Sequence, residues 1–320
     1  MLDAARPAID WLLEPEHPSI RYRALVELLR RSVTDREAAT ARAAIPASTD
    51  VQRILAAMHP DGYWLQRQHD GRIVGEGVEY GSFASTHFCL AYLAELGLDR
   101  GNPLVARAAE RYLALQAPDG DFWRHLSCLL GYNIRTFLRL GYRGDPRLER
   151  SIDLLERSGR ADGGYLCEIH EGRRGRRFVH SCARGSAKAL AAYAELPDRW
   201  SSPACLALVG YFLRRDGVFR TRAPQTPVTR ESTLTVFPFT WGCGLLDVLG
   251  ALATMGYGTR PELDRAWAIL DGHRDDDGRY RLDWTATQAA LPAGARGAAS
   301  KWVTLYALLA LDRREHAALV

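Results

Sequence analysis

The 320-residue chain has no apolar run of the ~18 residues that a membrane-spanning helix needs. It also lacks a P-loop, a GxGxxG turn, an HExxH helix and the Ser, His, Asp order of a hydrolytic triad. Nucleotide chemistry and nucleophilic hydrolysis therefore have no support in its motifs. Charge of one sign is scarce: 42 basic and 38 acidic side chains leave a net +4, mostly interspersed, so no nucleic-acid footprint stands out. The opening MLDAARPAIDWLLEPEHPS carries acidic residues and no long apolar core, unlike a secretory signal or a transit peptide. A cytoplasmic protein is expected. Its six cysteines, Cys89, Cys128, Cys167, Cys182, Cys205 and Cys243, read as reduced thiols or metal ligands rather than disulfides.

What the chain does have is repetition. The stretch 115–141, LQAPDGDFWRHLSCLLGYNIRTFLRLG, holds a helix end, an Asp-Gly turn delivering Phe122 and Trp123, and a nearly all-apolar helix closed by Gly141. Related turns are HPDGYW, RADGGYLC, RRDGVF and DDDGRYRL. Their glycines, Gly62, Gly120, Gly163, Gly217 and Gly278, recur at roughly 40 to 60 residues, the period of a helical-hairpin array. Before them, periodicity predicts an amphipathic helix over 18–31 and short helices over 35–44 and 50–58.

Between the turns, helices of two kinds alternate. Segments 86–96, 128–140, 182–196, 242–255 and 301–311 are apolar on most faces and should be surrounded by protein, whereas 103–115, 146–157, 203–214 and 261–270 carry one apolar stripe. Short joints link them: Gly97, Gly141 and Gly256 suit left-handed C-caps, and Asn102-Pro103, Asp145-Pro146 and Ser202-Pro203 pair an N-cap with proline at the first helical position. Five or six hairpins with buried inner and half-exposed outer helices are best satisfied by an all-α closed ring, an α/α toroid. The helix at 7–13 can supply the missing partner of 301–311 and close it. One domain over 1–320 is expected, with N-terminal helices in 1–58, repeat hairpins in 59–312 and a tail in 313–320. The Asp-Gly turns, the inner-helix starts and the long connections 65–85, 221–240 and 283–300 collect at one end, where binding residues are expected.

The Asp-Gly-aromatic turns, one preceded by Gln116, resemble the QW-type repeats of the terpenoid cyclase and protein prenyltransferase toroid superfamily, and most of all the short bacterial squalene cyclase-like or prenyltransferase-like proteins. The resemblance implies an isoprenoid or other apolar substrate in a central cavity. Two family marks are missing. The acidic run Asp275-Asp276-Asp277 lies in a turn and lacks the Asp-x-Asp-Asp spacing of the alkene-protonating cyclases. Trp241-Gly242-Cys243 keeps only the cysteine of the prenyltransferase zinc site, and SKWVTLYALLAL has no histidine.

Several constellations are chemically suggestive. Cys128, Cys167, His180 and Cys182, with His170 as a substitute, stand at neighbouring inner-helix starts and could hold zinc, although buried cysteine packing is the commoner role. Arg173, Arg174, Arg176 and Arg177, with Lys188 two turns into the next helix, suit a diphosphate, against the plainer reading of a solvated loop. Phe88, Tyr92, Tyr132, Phe137, Trp241, Trp302 and Tyr306 are aromatic candidates for a cavity wall; Tyr132, Trp241, Trp302 and Tyr306 are taken as substrate-binding. Polar residues on inner helices demand partners: His87, Asn133, Arg135, Lys188, Asp247 and Lys301, with Asp247 expected to pair with Lys301 or Arg135. Asp247, His87 and Lys301 are the candidate catalytic groups. Three readings follow: an enzyme of isoprenoid or other apolar-substrate metabolism, a non-catalytic ligand-binding or scaffold toroid, and an (α/α)-barrel carbohydrate-active enzyme. The last would need paired carboxylates, and Glu76, Glu79, Asp121, Glu168 and Glu231 form no recognisable pair in sequence.

Overall fold

The computed structural model describes residues 5–68, 70–79, 83–170, 180–240, 242–286 and 289–317. Inner and outer helices alternate as the hydrophobic pattern requires. The inner series is α2 (Pro18–Arg23, continued by a π-helical turn Ala24–Leu28), α5 (Thr86–Glu95), α7 (Ser127–Arg139), α9 (Ala183–Ala194), α11 (Leu245–Thr254) and α13 (Lys301–Ala317). The outer series is α1 (Arg6–Leu12), α3 (Arg36–Ala44) with α4 (Thr49–Ala56), α6 (Pro103–Leu113), α8 (Pro146–Arg157), α10 (Pro203–Leu213) and α12 (Asp264–Asp271). Every residue of α5 is buried, whereas α8 buries Leu148, Ile152, Leu154 and Leu155 and turns Arg150 and Asp153 to solvent. One apolar cluster runs through the protein from Ala5 to Ala310.

Consecutive inner helices pack side by side from α5 through α7, α9 and α11 to α13. The ring closes through the N-terminal segment: α1 lies against α13, Lys301 Nζ meets Glu14 Oε2 at 2.6 Å, and Arg30 reaches Asp312 at 2.9 Å. The expected partner of the last inner helix is thus the first helix of the chain. At Gly131 the α7 backbone comes so near α9 that a Cβ would lie 2.6 Å from the Lys188 carbonyl carbon.

The repeat turn ties neighbouring hairpins together. In the second turn Ala117 N–H donates to Asp121 O at 2.8 Å and Gly120 N–H to Ala117 O at 3.0 Å, with Gly120 at φ 98°. This glycine presses on the next outer helix: a Cβ there would lie 2.6 Å from the Arg150 carbonyl carbon. The Gln116 amide reaches across to Arg147 O and Ser151 Oγ, both at 2.8 Å. The RRDGVF turn differs. Gly217 N–H closes back on Phe212 O at 3.0 Å, and the chain leaves as the hairpin of β3 (Phe219–Arg220) and β4 (Ala223–Pro227).

The helix bounds depart from expectation where capping chemistry does. Asn102, Asp145 and Ser202 each cap an outer helix by side chain, as their sequence implies. Arg260 cannot accept such bonds, so the last outer segment begins as a 3₁₀ turn, Pro261–Leu263, and α12 starts only at Asp264. The predicted helix over 18–31 widens into a π turn and stops at Arg30, φ 54°. The helix predicted at 242–255 starts at Leu245, with Asp247 Oδ2 accepting Gly244 N–H at 2.9 Å, and α13 runs on beyond 311 to Ala317.

Candidate functional site

At the end of the ring where inner helices begin, the connections 221–240 and 283–300 pair with each other. Val236 bridges to Trp284, Phe237 N–H donates to Trp284 O at 3.3 Å, and Asp283 Oδ2 is shared by Thr235 N–H at 3.0 Å and His273 Nε2 at 2.7 Å. They frame a pocket of about 350 Å³ lined by Leu234, Val236, Thr240, Gly242 and Trp284, with Arg184, Arg230, Arg296 and Glu231. Arg184 Nε meets Glu231 Oε1 at 2.6 Å. Partial burial, the largest single influence, acts to raise the Glu231 pKa, but the hydrogen bond and charge of Arg184, with a backbone N–H and Thr229, together outweigh it and hold Glu231 below the usual carboxylate value. Glu231 is therefore a fixed negative charge rather than a proton donor.

A second group stands at the same end, in the turn before α7. Arg124 and His125 both take left-handed backbone, φ 54° and 47°, a conformation that costs of order 1–3 kcal/mol and needs support. Asp121 Oδ2 accepts His125 N–H at 2.8 Å, and His125 O accepts Glu168 N–H at 3.2 Å. Three carboxylates surround the imidazole: Asp119 at 3.7 Å, Asp121 at 3.9 Å and Glu168 at 3.9 Å. Sequence reasoning placed Asp121 and Glu168 in suitable loops and missed His125, whose histidine in an Asp-Gly turn was the available signal.

Of the cysteine and histidine set, Cys128 and Cys167 meet, Sγ to Sγ 3.5 Å. The hydrogen bond from Cys128, against the pull of burial, lowers the Cys167 thiol to about 5, with Ser127 and the Cys128 N–H assisting, and it pushes Cys128 up. Cys182 caps α9 without a side-chain bond, and His180 is exposed on the approach to it. Among the described residues no group of three or more His, Cys, Asp or Glu is arranged to hold a metal ion. Arg173, Arg174, Arg176, Arg177 and Trp241 lie outside the described residues.

The remaining candidates fall in the centre of the ring, and here the expected pairing is corrected. Asp247 pairs with Lys188, Oδ1 to Nζ 2.5 Å, because α9 and α11 are ring neighbours; Lys301 turns outward to Glu14, and Arg135 to Glu95 at 2.5 Å. Both Asp247 oxygens are thus engaged. Lys188 is correspondingly buried, its ammonium committed to Asp247. Burial alone lowers His87 to about 3, which keeps its imidazole neutral against Phe88, centroids 4.3 Å apart. Trp302 stacks on Phe237 at 4.8 Å.

Toward the joint end the centre is densely charged. Glu95, with 4% of its side chain exposed, receives Arg135 at 2.5 Å, Arg139 at 2.8 Å, Arg23 at 3.5 Å and the Tyr306 hydroxyl. Arg139 also binds Glu195 at 2.7 Å, and Arg23 binds Glu27 at 2.5 Å. Burial opposes the ionised Glu95, but three guanidiniums hold it far below the usual carboxylate range. Beside this network lies a cavity of about 70 Å³ whose lining includes Tyr132, Arg135, Arg139, Phe239, Tyr306 and Arg313. Glu95, Arg139 and Glu195 were missed in sequence; the available signal was that each is itself a charge within a predicted inner-helix segment, 86–96, 128–140 or 182–196.

No protein-family model matches the chain, and no curated protein matches it in sequence. Among solved structures it is similar to a glycosyl hydrolase family 88 protein from Bacteroides vulgatus, at 14% identity and TM-score 0.55 over 99% of this chain and 98% of that one. A polysaccharide lyase matches at 14% identity and TM-score 0.52, covering 100% and 98%. A type II terpene cyclase from Scytonema matches at 14% identity and TM-score 0.34, covering 87% and 97%. The fold is an α/α toroid. At such identity the likeness goes no further than the fold. Among the described residues no helix is long and apolar enough to cross a membrane.

Proposed function

We propose that this protein binds a small amphipathic anion in the loop-end pocket, an isoprenoid or other apolar body with a phosphate- or carboxylate-like head, and acts on it as an enzyme of the terpenoid cyclase and prenyltransferase type. The observation that carries the reading is the composition of that pocket: Leu234, Val236 and Trp284 together with three guanidiniums. Apolar contact favours the body at roughly 25 cal/mol per Å² buried, and guanidiniums bind oxyanions bidentately. Arg184 is committed to Glu231, which leaves Arg230 and Arg296 for the head. Asp247, held by Lys188 and Gly244, is not available to protonate an alkene, so substrate activation belongs at the anionic head. A cytoplasmic setting accords with six cysteines that form no disulfide.

A second reading, a carbohydrate-active enzyme, draws on the His125 cluster, where an imidazole flanked by Asp119, Asp121 and Glu168 has the makings of acid–base catalysis. Two proteins of like fold are a glycosyl hydrolase and a polysaccharide lyase by description. One experiment separates the two. Farnesyl diphosphate should bind the intact chain and weaken by about tenfold or more in Arg230→Gln and in Trp284→Ala, as loss of a charge-assisted or buried contact implies. Absence of that binding, together with cleavage of an acidic oligosaccharide that is abolished in His125→Ala, would transfer the assignment to the second reading.

A further inference from the structure

The charged centre does not balance. Facing or flanking the central cavity are Arg23, Arg135, Arg139, Arg313 and Lys188, five cations, against Glu27, Glu95, Glu195 and Asp247, four carboxylates, an excess of one positive charge among the described residues. Lys188 and Asp247 cancel locally, and Arg23, Arg135 and Arg139 share the three glutamates at close range. The excess resides on Arg313. Its nearest carboxylate is Glu27 at 3.6 Å, which Arg23 already holds through two bonds of 2.5 and 3.1 Å, and its other partner is the neutral Thr254 hydroxyl at 3.0 Å. The electrostatics agree: Arg23, Arg135 and Arg139 are shifted up by their carboxylates, whereas burial, with Arg23 and Arg139 nearby, shifts Arg313 down.

Arg313 is not sealed off, with 38% of its side chain exposed, so it stands at the mouth of the cavity with a shared carboxylate, and a guanidinium placed so can take an anion from solvent. The cavity of about 70 Å³ has room for roughly five waters at 10–15 Å³ each, the size of a tetrahedral oxyanion. A second, independent observation points to an occupant. Tyr132 lines the same cavity and is 4% exposed, and its buried hydroxyl has no hydrogen-bond partner among the described residues. Buried hydroxyls are rarely left so.

We infer that the centre of the toroid is a binding site for a phosphate-like oxyanion, seated at Arg139 and Arg313, either free or as the head of a small ligand extending toward Tyr132. It is distinct from the loop-end pocket: its residues lie on α7 and α13 toward the joint end, and it shares no lining residue with that pocket. Thr254 and Tyr306 supply hydroxyls at the same wall, and Phe239, Leu246 and Ala251 an apolar side for a ligand body.

The test is calorimetric titration of the intact protein with inorganic phosphate at fixed ionic strength in chloride, accompanied by thermal melting. Saturable binding with a rise in melting temperature is expected, and Arg313→Gln should weaken it by about tenfold or more, the value of one charge-assisted hydrogen bond. Arg313→Lys, which keeps the charge and loses the fork, should fall between. Hexyl phosphate identifies the source. Tighter binding than phosphate that is lost in Tyr132→Phe marks a headgroup, and binding no tighter than phosphate and indifferent to Tyr132→Phe marks a free ion. Tyr132→Phe removes no hydrogen bond to the described residues, so its folding serves as its own control. The inference is overturned if phosphate gives no saturable signal, if Arg313→Gln binds it as well as the wild type, or if Arg230→Gln abolishes it, which would locate the ion at the loop end.

Discussion

Glu95→Gln isolates what the central charge network contributes. The substitution keeps shape and removes one charge that three guanidiniums and a tyrosine hydroxyl address. The loss is unevenly felt. Arg23 keeps Glu27 at 2.5 Å and Arg139 keeps Glu195 at 2.7 Å, whereas Arg135, with 14% of its side chain exposed, is left with Glu195 at 3.8 Å. The glutamine amide also turns hydrogen-bond donors toward donors. Removing one partner of a buried ion pair costs about 3–5 kcal/mol, and since two of the three arginines retain a partner, about 3 kcal/mol is expected here. Urea unfolding followed by circular dichroism should show the midpoint fall with little change in slope. The orphan-charge argument makes a sharper demand. Arg135→Met combined with Glu95→Gln should be less destabilising than the sum of the single variants by about 1–2 kcal/mol, because the double variant no longer buries an unpaired cation. A cost for Glu95→Gln under about 1 kcal/mol, or strict additivity, would refute the reasoning.

Gly120→Val should destabilise by more than ~2 kcal/mol, since it combines a positive φ with a Cβ 2.6 Å from the Arg150 carbonyl carbon, and an unchanged melting temperature would remove the turn from its stapling role. The pH dependence follows from the same glutamates. Burial acts to raise Glu27, Glu95 and Glu195, but their arginine partners outweigh it and hold all three below the ordinary value near 4.5. A depressed folded pKa gives stability that is complete above the unfolded value and lost as pH falls through the folded one. Melting temperature should thus be flat above about pH 5.5 and decline below about 4.5. In Glu95→Gln the decline should be shallower, and an equal slope would assign the acid sensitivity elsewhere. At the surface, Arg6→Ala should leave the melting temperature unmoved, because the Arg6–Asp10 pair is open to water.

How far the sequence reaches is visible in particular residues. Hydrophobic periodicity separated inner from outer helices, because an all-round apolar helix can be satisfied only inside protein and a striped one only at its boundary. Asn102, Asp145 and Ser202 before proline announced their caps, and positive-φ glycines announced the turns, since those choices are made by the backbone within a few residues. Even ring closure through the first helix was legible, from an inner helix at 301–311 that had no partner after it.

Pairing across the ring was not legible. Asp247 finds Lys188, 59 positions away, and Arg23 finds Tyr306, 283 away, because position around the torus, not spacing along the chain, decides which charges meet in its centre. The same holds for Cys128 and Cys167, which touch, and for the joining of 221–240 to 283–300 into a pocket wall. Sequence fixes which side chains must be buried and which segments must turn. Only closure of the ring decides the partners of buried charges, because the Coulomb energy in a low-dielectric interior depends on distances of a few ångströms that no local pattern encodes.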